Sequence, residues 1–388
     1  ELFTLFESYE EGSSKKLEKF LEEAQYKYEV GMRDFVERPG HSIMEFADIR
    51  VVRSLFRLQM FQSMSSHVRK LFKNPKLIEL LEFPVLFLGA TPENTPALYS
   101  LMNYADLVLG TWYPMGGMNR IIEGMVQLAK EQGVQIVCDA EVTGVKMEGD
   151  SIAEVKSKKG SYKADIVVGA GDYQHIEQNL LPKKFRQYDS KYWESRVMAP
   201  SSLLFYIGVD SKIEGLKHHN LFFDADFSVH ATEIYESPKW PSDPLFYVCA
   251  PSVTDASVAP DGKENLFILI PLAPGLEDSR DLREEYYERV MDRLEKKLGQ
   301  DIRGKEVFKQ SYAMDNFKND YHAFKGNAYG LANTLLQTAF LKPKMKSKKV
   351  KNLFYSGQLT TPGPGVPPSL ISGRVVAREV QRQMVNHS

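Results

Sequence analysis

The spacing of apolar residues changes several times along the chain, and each change predicts a different kind of element. Apolar residues recur at helical spacing over residues 13–36, with serines just before them as candidate caps. These residues are Leu17, Phe20, Leu21, Ala24 and Tyr28. Residues 44–110 keep this texture, but three prolines interrupt them and exclude one long helix. We therefore expect a layer of several helices over residues 13–110.

Alternation replaces helical spacing in the next segment. Residues 121–129 still form a helical stripe that Gly133 ends, and the run VQIVCDAEV after it alternates like a strand. Two short strands around Val142–Met147 and Ile152–Lys156 and a buried strand over Ile166–Ala170 are expected next. An apolar strand that ends in glycine is typical of the ligand edge of a nucleotide-binding α/β sheet.

A second sheet is predicted over residues 200–275, because three more strand-like runs occur there. They are SSLLFYIGVD, PLFYVCAPS and NLFILIPLAP. Residues 282–299 form an amphipathic helical pattern that Gly299 ends. The later stretch KPKMKSKKVK contains six lysines and predicts a solvated loop, with attraction to anionic lipid as the alternative.

A loop rich in glycine and proline follows the last predicted strand, residues 352–356. The stretch GQLTTPGPGVPPSLISGR begins at Gly357 and leads into a helix predicted from Ser369. Glycine lets a backbone approach a flat or phosphorylated ligand, and a helix start offers free N–H groups to anions. Proline fixes the path of the chain. The sequence thus predicts a ligand-binding turn, with a tight crossover that holds nothing as the alternative.

Composition narrows the class of ligand. The 388 residues are 43% hydrophobic and carry a net charge of −2, which gives no electrostatic reason to expect nucleic acid. Cys138 and Cys249 are far apart and lack a CxxC or His-rich context, so we expect no zinc site, no disulfide framework and a cytoplasmic location. No run approaches the roughly 18–20 apolar residues of a membrane-spanning helix.

Four stretches of the chain resemble the bacterial phytoene desaturase family of FAD-dependent carotenoid desaturases. They are YPMGGMNRIIEGMVQLAKEQGVQI, LFYVCAPSVTDASVAPDGKENLFIL, NDYHAFKGNAYGL and, as the most specific, NLFYSGQLTTPGPGVPPSLISGRVVA. The resemblance runs through nearly the whole chain. It implies an α/β fold with a discontinuous Rossmann-like FAD domain, a second substrate-binding sheet and a helical layer that faces the membrane.

The resemblance also implies domain limits. The helical layer would span residues 1–111, two parts of the FAD domain would span 112–175 and 346–388, and the substrate-binding sheet domain would span 176–345. The family normally opens with a strand, a GxGxxG turn and a helix that bind the ADP half of FAD. This part is missing from the sequence, which begins at Glu1 without methionine. We therefore expect a missing N-terminal segment and weak FAD binding by the chain as given.

Three groups of residues are placed near FAD by the resemblance. The last motif would face the flavin end with Gly357, Thr360, Pro362, Gly363, Gly365, Val366 and Pro367. A second motif would lie against the flavin or line the substrate channel, or form a plain turn into a helix, with Gly116, Gly117 and Met118. A strand end near the cofactor would contribute Gly169, Gly171 and Asp172, with a simple helix cap as the alternative for Asp172.

The family removes hydrogen from a saturated carbon pair of an isoprenoid chain, with hydride passing to the flavin and a proton leaving the neighbouring carbon. The implied site is a long apolar tunnel with few polar groups. The candidate polar groups, each with a surface salt bridge or a hydrogen-bonded histidine as the alternative, are Glu45, Asp48, Arg50 and His322. The candidate tunnel residues, with ordinary core packing as the alternative, are Phe83, Phe87, Tyr99, Met102, Tyr104, Trp112, Tyr206 and Tyr247.

The predicted function is FAD-dependent desaturation of a carotenoid, with phytoene as the first choice of substrate. Because carotenoids dissolve in membranes, we expect peripheral membrane contact through the apolar helices of residues 44–110, with their burial inside the protein as the alternative. Other hypotheses are a later, hydroxylated or C30 carotenoid as substrate, a non-catalytic carotenoid or lipid carrier, and a flavin amine oxidase. The sequence makes no prediction of the oligomeric state.

Overall fold

The computed structural model describes residues 1–42, 58–59, 62–334 and 337–385, without the side chains of residues 34, 35, 86, 87 and 339. The chain divides into two compact units. The first unit comprises Glu1–Thr111, Ala140–Ala199 and Tyr329–Ser388, and the second comprises Trp112–Asp139 and Pro200–Ala328. The predicted segment 112–175 is therefore divided at Ala140. The assignment of domains to cofactor and substrate stays a prediction.

The elements are as follows. The helices are α1 (Leu2–Tyr9), α2 (Ser13–Val30), α3 (Met64–Leu71), α4 (Pro75–Glu82), α5 (Leu101–Tyr104), α6 (Asn119–Glu131), α7 (Tyr173–His175), α8 (Ser190–Glu194), α9 (Phe227–Tyr235), α10 (Arg280–Leu298), α11 (Met314–Tyr321) and α12 (Val366–Val385). The strands are β1 (Val142–Glu148), β2 (Ser151–Ser157), β3 (Gly160–Lys163), β4 (Val167–Gly169), β5 (Ser201–Val209), β6 (His219–Phe222), β7 (Phe246–Cys249), β8 (Glu264–Leu272), β9 (Glu306–Tyr312) and β10 (Leu353–Tyr355).

The helix predicted over residues 13–36 is present as α2, but its predicted serine caps are wrong. Ser13 is already the first helical residue, and Gly12 before it adopts a left-handed conformation. The Glu7 carboxylate takes the place of a serine cap, because it accepts hydrogen bonds from the backbone N–H groups of Gly12 and Ser14 at 2.6 and 2.9 Å. Satisfying these free donors stabilises the start of α2.

Helices α1 to α4 and the turn after α4 bury their apolar side chains in a common core. The buried members are Phe6, Leu17, Phe20, Leu21, Met64, Val68, Phe72, Leu77, Ile78, Leu81, Val85 and Leu88. Burial, which was the alternative to membrane docking, is thus what the apolar residues of α3 and α4 show. None of the helices in the described ranges is long and apolar enough to cross a membrane.

The predicted strands of the first unit are present as β1, β2, β4 and β10, with β3 in addition, whereas one predicted strand that lies mostly in the second unit did not form. β1 and β2 pair in an antiparallel manner, β3 extends the same sheet, and β4 pairs in parallel with β10. The predicted strand VQIVCDAEV is wrong, because residues 134–141 have no strand pairing and β1 begins only at Val142. Val134, Ile136 and Val137 are exposed in this segment. A segment with an alternating pattern forms a β-strand only when a neighbouring strand pairs with it through backbone hydrogen bonds.

The second unit contains the predicted second sheet. Within the described residues it has five strands in the order β6-β7-β8-β5-β9, all paired antiparallel. One face packs on α10, which ends at Gly299 in a left-handed conformation as predicted. The core on this inner face includes Phe205, Ile268, Val290 and Met291. Because side chains alternate along each strand, the other residues of the same strands form an outer face.

Candidate functional site

In the first unit, two glycine-ended strands lie side by side. β4 and β10 are parallel with Gly169 opposite Tyr355, and the Ser356 backbone N–H donates to the Gly169 carbonyl at 3.0 Å. The segments after the two strands, which carry Gly171 and Gly357, therefore leave the same edge of the sheet. This edge is where α/β sheets bind their ligands.

The loop after β10 is tied down by short hydrogen bonds. The Gly357 backbone N–H donates to Ser372 Oγ at 2.6 Å, and the Thr360 hydroxyl donates to the Gly357 carbonyl at 2.8 Å. Gly357, Gly363 and Gly365 have φ values of 111°, 133° and 108°, a backbone region that residues with a Cβ rarely adopt. The path of this loop therefore requires glycine at these positions.

α12 begins earlier than the sequence predicted. The helix starts at Val366 rather than at Ser369, so Pro367 and Pro368 lie in its first turn. A helix start tolerates proline, because the missing N–H would have no partner within the helix and the ring fixes a helical φ. The predicted start at Ser369 is too late because proline is also common in loops, so the sequence pattern places Pro367 and Pro368 before the helix. Val366 and Pro367 therefore form the helix start rather than an extended loop, and Pro362 precedes them in the loop.

Two buried polar side chains face Gly363. A Cβ on this glycine would lie 3.1 Å from Asn333 Oδ1 and 3.3 Å from Lys342 Nζ. Asn333 is 7% and Lys342 is 2% exposed. Neither of these two atoms has a hydrogen-bond partner among the residues that the structure describes. The loop thus passes next to a buried donor and a buried acceptor that the protein leaves unused.

Lys342 departs from both interpretations of the lysine-rich stretch, although the later members Lys348, Lys349 and Lys351 are exposed. A solvated loop and a lipid-binding loop both require an exposed ammonium group, whereas Lys342 is buried. Burial lowers the pKa of Lys342 to about 7, since desolvation disfavours the charged form. Lys344 is also held inward, because its Nζ donates to the Gly40 carbonyl at 2.6 Å and to the Phe340 carbonyl. The sequence alone does not distinguish Lys342 and Lys344, whose side chains point inward, from the other lysines of this stretch.

The other predicted strand end has a mainly structural geometry. Asp172 caps α7, because its carboxylate accepts from the His175 backbone N–H at 2.9 Å. A Cβ at Gly169 would lie 2.8 Å from Ile176 Cδ1, so a larger residue here would displace the end of the Ile176 side chain. A Cβ at Gly171 would have no atom within 4 Å. Of the three, Gly171 alone borders open space.

In the second unit, the turn at Gly116–Met118 leads into α6. Gly116 and Gly117 have φ values of 90° and 98°, and the Gly117 N–H donates to the Pro114 carbonyl at 3.1 Å. This geometry is the plain turn that was the alternative to cofactor contact. A position of these residues near a flavin stays a prediction.

A buried carboxylate that the sequence did not single out holds this turn. Asp255 Oδ2 accepts from the Gly116 N–H at 2.6 Å, and Asp255 Oδ1 accepts from the Ser257 hydroxyl at 2.6 Å. Hydrogen bonds from Ser257 and from the Gly116 N–H lower the pKa of Asp255. The signal was the run SVTDAS within a family motif, where an aspartate stands among residues that favour turns.

The outer face of the five-stranded sheet carries a row of aromatic side chains. The Tyr206 and Phe267 ring centroids are 5.4 Å apart, those of Phe267 and Tyr247 are 6.3 Å apart, and His219 stacks on Tyr247 at 5.9 Å. These residues come from β5, β8, β7 and β6, so the row crosses four strands. Tyr206 and Leu221 on this face are exposed. The face carries neighbouring aromatic rings that are partly or fully exposed.

Three residues with metal-binding side chains meet at one end of this row. The ligand atoms of His218, His219 and Cys249 lie within 4.8 Å of one another. His219 Nδ1 is 2.6 Å from the Tyr247 hydroxyl and His218 Nδ1 is 2.5 Å from Thr254 Oγ1. The spacing of the cysteines in the sequence gives no sign of this cluster. The expectation that the chain binds no metal stays a prediction.

The predicted polar groups are not brought together. Glu45, Asp48 and Arg50 lie outside the described residues, and His322 is an exposed residue that ends α11 in a left-handed conformation. Among the tunnel candidates, Tyr206 and Tyr247 share the outer face, whereas Tyr99 and Met102 pack on the helical core. Phe83 lies in the 3₁₀ turn after α4, Tyr104 packs on Tyr28, Trp112 is exposed, and the side chain of Phe87 is not described.

Sequence comparisons place the chain among flavin-dependent enzymes. Residues 15–381 match the family described as flavin containing amine oxidoreductase. A carotenoid 3,4-desaturase of Haloarcula japonica is 40% identical over 97% of this chain and 76% of its own length. A zeta-carotene-forming phytoene desaturase of Myxococcus xanthus is 29% identical over 96% of this chain and 72% of its own length. A 4,4'-diapophytoene desaturase of Staphylococcus aureus is 28% identical over 98% and 78%.

Solved structures show the same fold at low sequence identity. An oxidoreductase of Methanosarcina mazei has a TM-score of 0.56 at 14% identity and covers 84% of this chain and 71% of its own. Putrescine oxidase bound to putrescine has a TM-score of 0.55 at 12% identity and covers 96% and 76%. The predicted mixed fold with a Rossmann-like flavin domain is confirmed.

Proposed function

Because the chain belongs to the flavin-containing amine oxidoreductase family and to its carotenoid desaturases, we propose that it desaturates a carotenoid at the 3,4 position. The carotenoid desaturase assignment and the FAD cofactor follow from the family. The 40% identity to a 3,4-desaturase, against 29% and 28% to desaturases of phytoene and diapophytoene, supports the 3,4 position. Phytoene, the first choice from the sequence, is the second candidate.

The residues of the first unit fit the flavin end of FAD, which supplies the hydride acceptor when it is bound. Gly357, Gly363 and Gly365 leave three positions of the loop without a side chain, so a flat ring system can approach the backbone there. The unpartnered Lys342 Nζ and Asn333 Oδ1 give this loop a donor and an acceptor for a ligand.

The observation that carries the substrate proposal is the aromatic outer face of the second unit. Tyr206, Phe267 and Tyr247 present neighbouring rings on one face of the sheet. Five strands spaced about 4.8 Å apart make this face about 19 Å wide. A rigid apolar polyene gains from burial against such a surface and needs no charged partner. The role of these side chains is to exclude water and to align the chain.

Product analysis tests the proposed reaction. FAD-loaded protein is incubated separately with phytoene and with a carotenoid that is saturated at the 3,4 position, and the products are separated by chromatography. We expect a new double bond at the 3,4 position and little conversion of phytoene. Conversion of phytoene alone would replace the first candidate by the second. Binding of both carotenoids without conversion by FAD-loaded protein would support the carrier hypothesis.

Substitution on the outer face tests the substrate surface. We expect F267S to raise the KM for the carotenoid about tenfold, because it removes an aromatic ring from the middle of the row. V229S on α9 is the matched control, since Val229 is an exposed apolar residue of the same unit that lies outside the sheet. An equal KM in F267S and V229S would contradict binding at this face.

We further propose that the protein works in the cytoplasm at the surface of a membrane, where its substrate dissolves. Exposed apolar side chains at Val108 and Leu109 support membrane contact, although the cores of α3 and α4 do not. Flotation with phosphatidylcholine–phosphatidylglycerol vesicles measures it. We expect V108S/L109S protein to float less than the unchanged protein, and equal flotation would contradict contact through these residues.

A further inference from the structure

A buried donor and a buried acceptor lie so close to Gly363 that a Cβ at this position would crowd both. The distances of 3.3 Å to Lys342 Nζ and 3.1 Å to Asn333 Oδ1 are measured from the point where a Cβ of Gly363 would lie. Both side chains are more than nine-tenths buried, and neither atom has a hydrogen-bond partner within the described ranges. Lys342 Nζ and Asn333 Oδ1 therefore lie close to the same glycine.

Burial of these two atoms lowers the stability of the folded protein unless a ligand forms hydrogen bonds with them. A buried polar atom without a partner loses its hydration without compensation, and for an ammonium group this loss is larger than for a neutral group. Most buried polar atoms in proteins have partners, so two orphans beside one glycine indicate a missing ligand. Asn333 is held in place, because its backbone N–H donates to the Leu88 carbonyl at 2.8 Å.

The surrounding chain could have satisfied a lysine here. Two residues later, Lys344 Nζ donates to the carbonyls of Gly40 and Phe340. The first unit thus provides backbone acceptors to one inward-facing lysine of this stretch and leaves its neighbour without one. Burial holds the pKa of Lys342 at about 7, so a nearby negative charge would readily favour its ammonium form.

We propose that Lys342 Nζ and Asn333 Oδ1 recognise the pyrimidine edge of the flavin, and that Lys342 stabilises the reduced cofactor. This inference rests on the proposed function of the chain as a flavin-dependent desaturase. The pyrimidine edge presents an N–H group between two carbonyl oxygens, so it requires an acceptor next to a donor. Asn333 Oδ1 accepts from the N–H group and Lys342 Nζ donates to a carbonyl oxygen.

The proposal gives Lys342 an electrostatic role. Reduction increases the negative charge on the pyrimidine ring, and a cation in a buried site stabilises that charge more than one in water would. Gly363 completes the arrangement, because a Cβ at this position would crowd both atoms. Lys342 is therefore a cofactor-positioning residue that also raises the reduction potential.

The test compares K342M, K342R and N333L with the unchanged protein, all loaded with FAD. Fluorescence titration gives the affinity for FAD, and equilibration with redox dyes gives the reduction potential. We expect K342M to weaken FAD binding at least tenfold. It should also lower the preference for reduced over oxidised flavin about tenfold, which is about 30 mV for a two-electron couple. K342R should restore most of the potential, and N333L should weaken binding with a smaller change in potential.

K27M is the matched control, because Lys27 is another buried lysine of the first unit whose Nζ has protein partners. It should leave the potential unchanged. A K342M protein with unchanged FAD affinity and potential would overturn the inference even if carotenoid turnover is observed. Failure of the unchanged, FAD-loaded protein to convert any carotenoid, with these effects of K342M observed, would contradict the proposed function and leave the flavin contacts in place.

Discussion

Two buried lysines of the first unit differ in what surrounds them. Lys27 on α2 is 0% exposed, and its Nζ donates to Gln59 Oε1, the Ala97 carbonyl and Ser100 Oγ at 2.7, 3.0 and 2.9 Å. Lys342 is 2% exposed, and no described residue accepts from its Nζ. Burial lowers the pKa of Lys27 to about 8 and that of Lys342 to about 7.

The difference separates a structural lysine from a ligand-binding lysine. The three acceptors of Lys27 come from residues far away in the sequence, so this side chain ties the helical layer together. Lys342 Nζ forms no hydrogen bond with any described residue, although its ammonium group loses its hydration on folding as that of Lys27 does. Buried residues that weaken the folded protein are characteristic of functional sites.

The largest expected effect is the loss of stability on removal of Lys27. K27M deletes three hydrogen bonds that a buried charged group donates, so the free energy of unfolding should fall by about 2–4 kcal/mol. Urea unfolding followed by circular dichroism measures the change. An unfolding free energy within about 0.5 kcal/mol of the unchanged protein would contradict a structural role of Lys27.

The opposite sign is expected at Lys342. K342M replaces an unpartnered ammonium group with an apolar side chain of similar length, so the protein without FAD should gain about 1–4 kcal/mol in unfolding free energy. The same urea experiment without cofactor measures it. Destabilisation of K342M to the extent of K27M would mean that Lys342 is a structural residue.

The pH dependence of stability should sharpen the comparison. The pKa of Lys342 is lower in the folded protein than its ordinary value of 10.5, so the unfolded chain binds more protons between pH 7 and 10.5. Stability contributed by this group is therefore lowest below pH 7 and rises through this window by up to about 1.4 kcal/mol per pH unit. The advantage of K342M over the unchanged protein should shrink accordingly. An advantage that is constant from pH 7 to 10 would contradict this pKa.

The smallest expected effect concerns the hydrogen bond that fixes the loop beside Lys342. S372A removes the acceptor of the Gly357 N–H and should lower the unfolding free energy by about 1 kcal/mol. Thermal unfolding with and without FAD measures the change. We expect bound FAD to restore part of the loss, whereas an identical loss in both states would show that the loop does not respond to the cofactor.

Local patterns predicted the elements well, because periodicity and caps depend on neighbouring residues. The alternation in β5, β7 and β8 predicted the second sheet, and Gly299 predicted the end of α10. The start of α12 was misplaced by three residues, because two prolines suit both a loop and a first helical turn. The strand predicted around residues 134–142 did not form, because a strand needs a second strand to pair with and the alternating pattern alone does not show whether one is present.

The site depended on contacts between distant residues and was harder to predict. Asp255 holds Gly116 across 139 positions of the sequence, and no local pattern connects them. Lys342 was hidden in a run of six lysines that suggested solvent exposure. The glycines at positions 357, 363 and 365 were singled out because they stand in a glycine- and proline-rich motif that resembles the family, and their positive φ values fit a loop that needs glycine.

The central claim is that this chain passes hydride from a carotenoid to its flavin. The most direct measurement is the flavin absorption of FAD-loaded protein, mixed without oxygen with a carotenoid saturated at the 3,4 position or with putrescine. Our account predicts that the carotenoid bleaches the flavin band and that the amine leaves it unchanged. Bleaching by putrescine alone would contradict a desaturase and identify an amine oxidase.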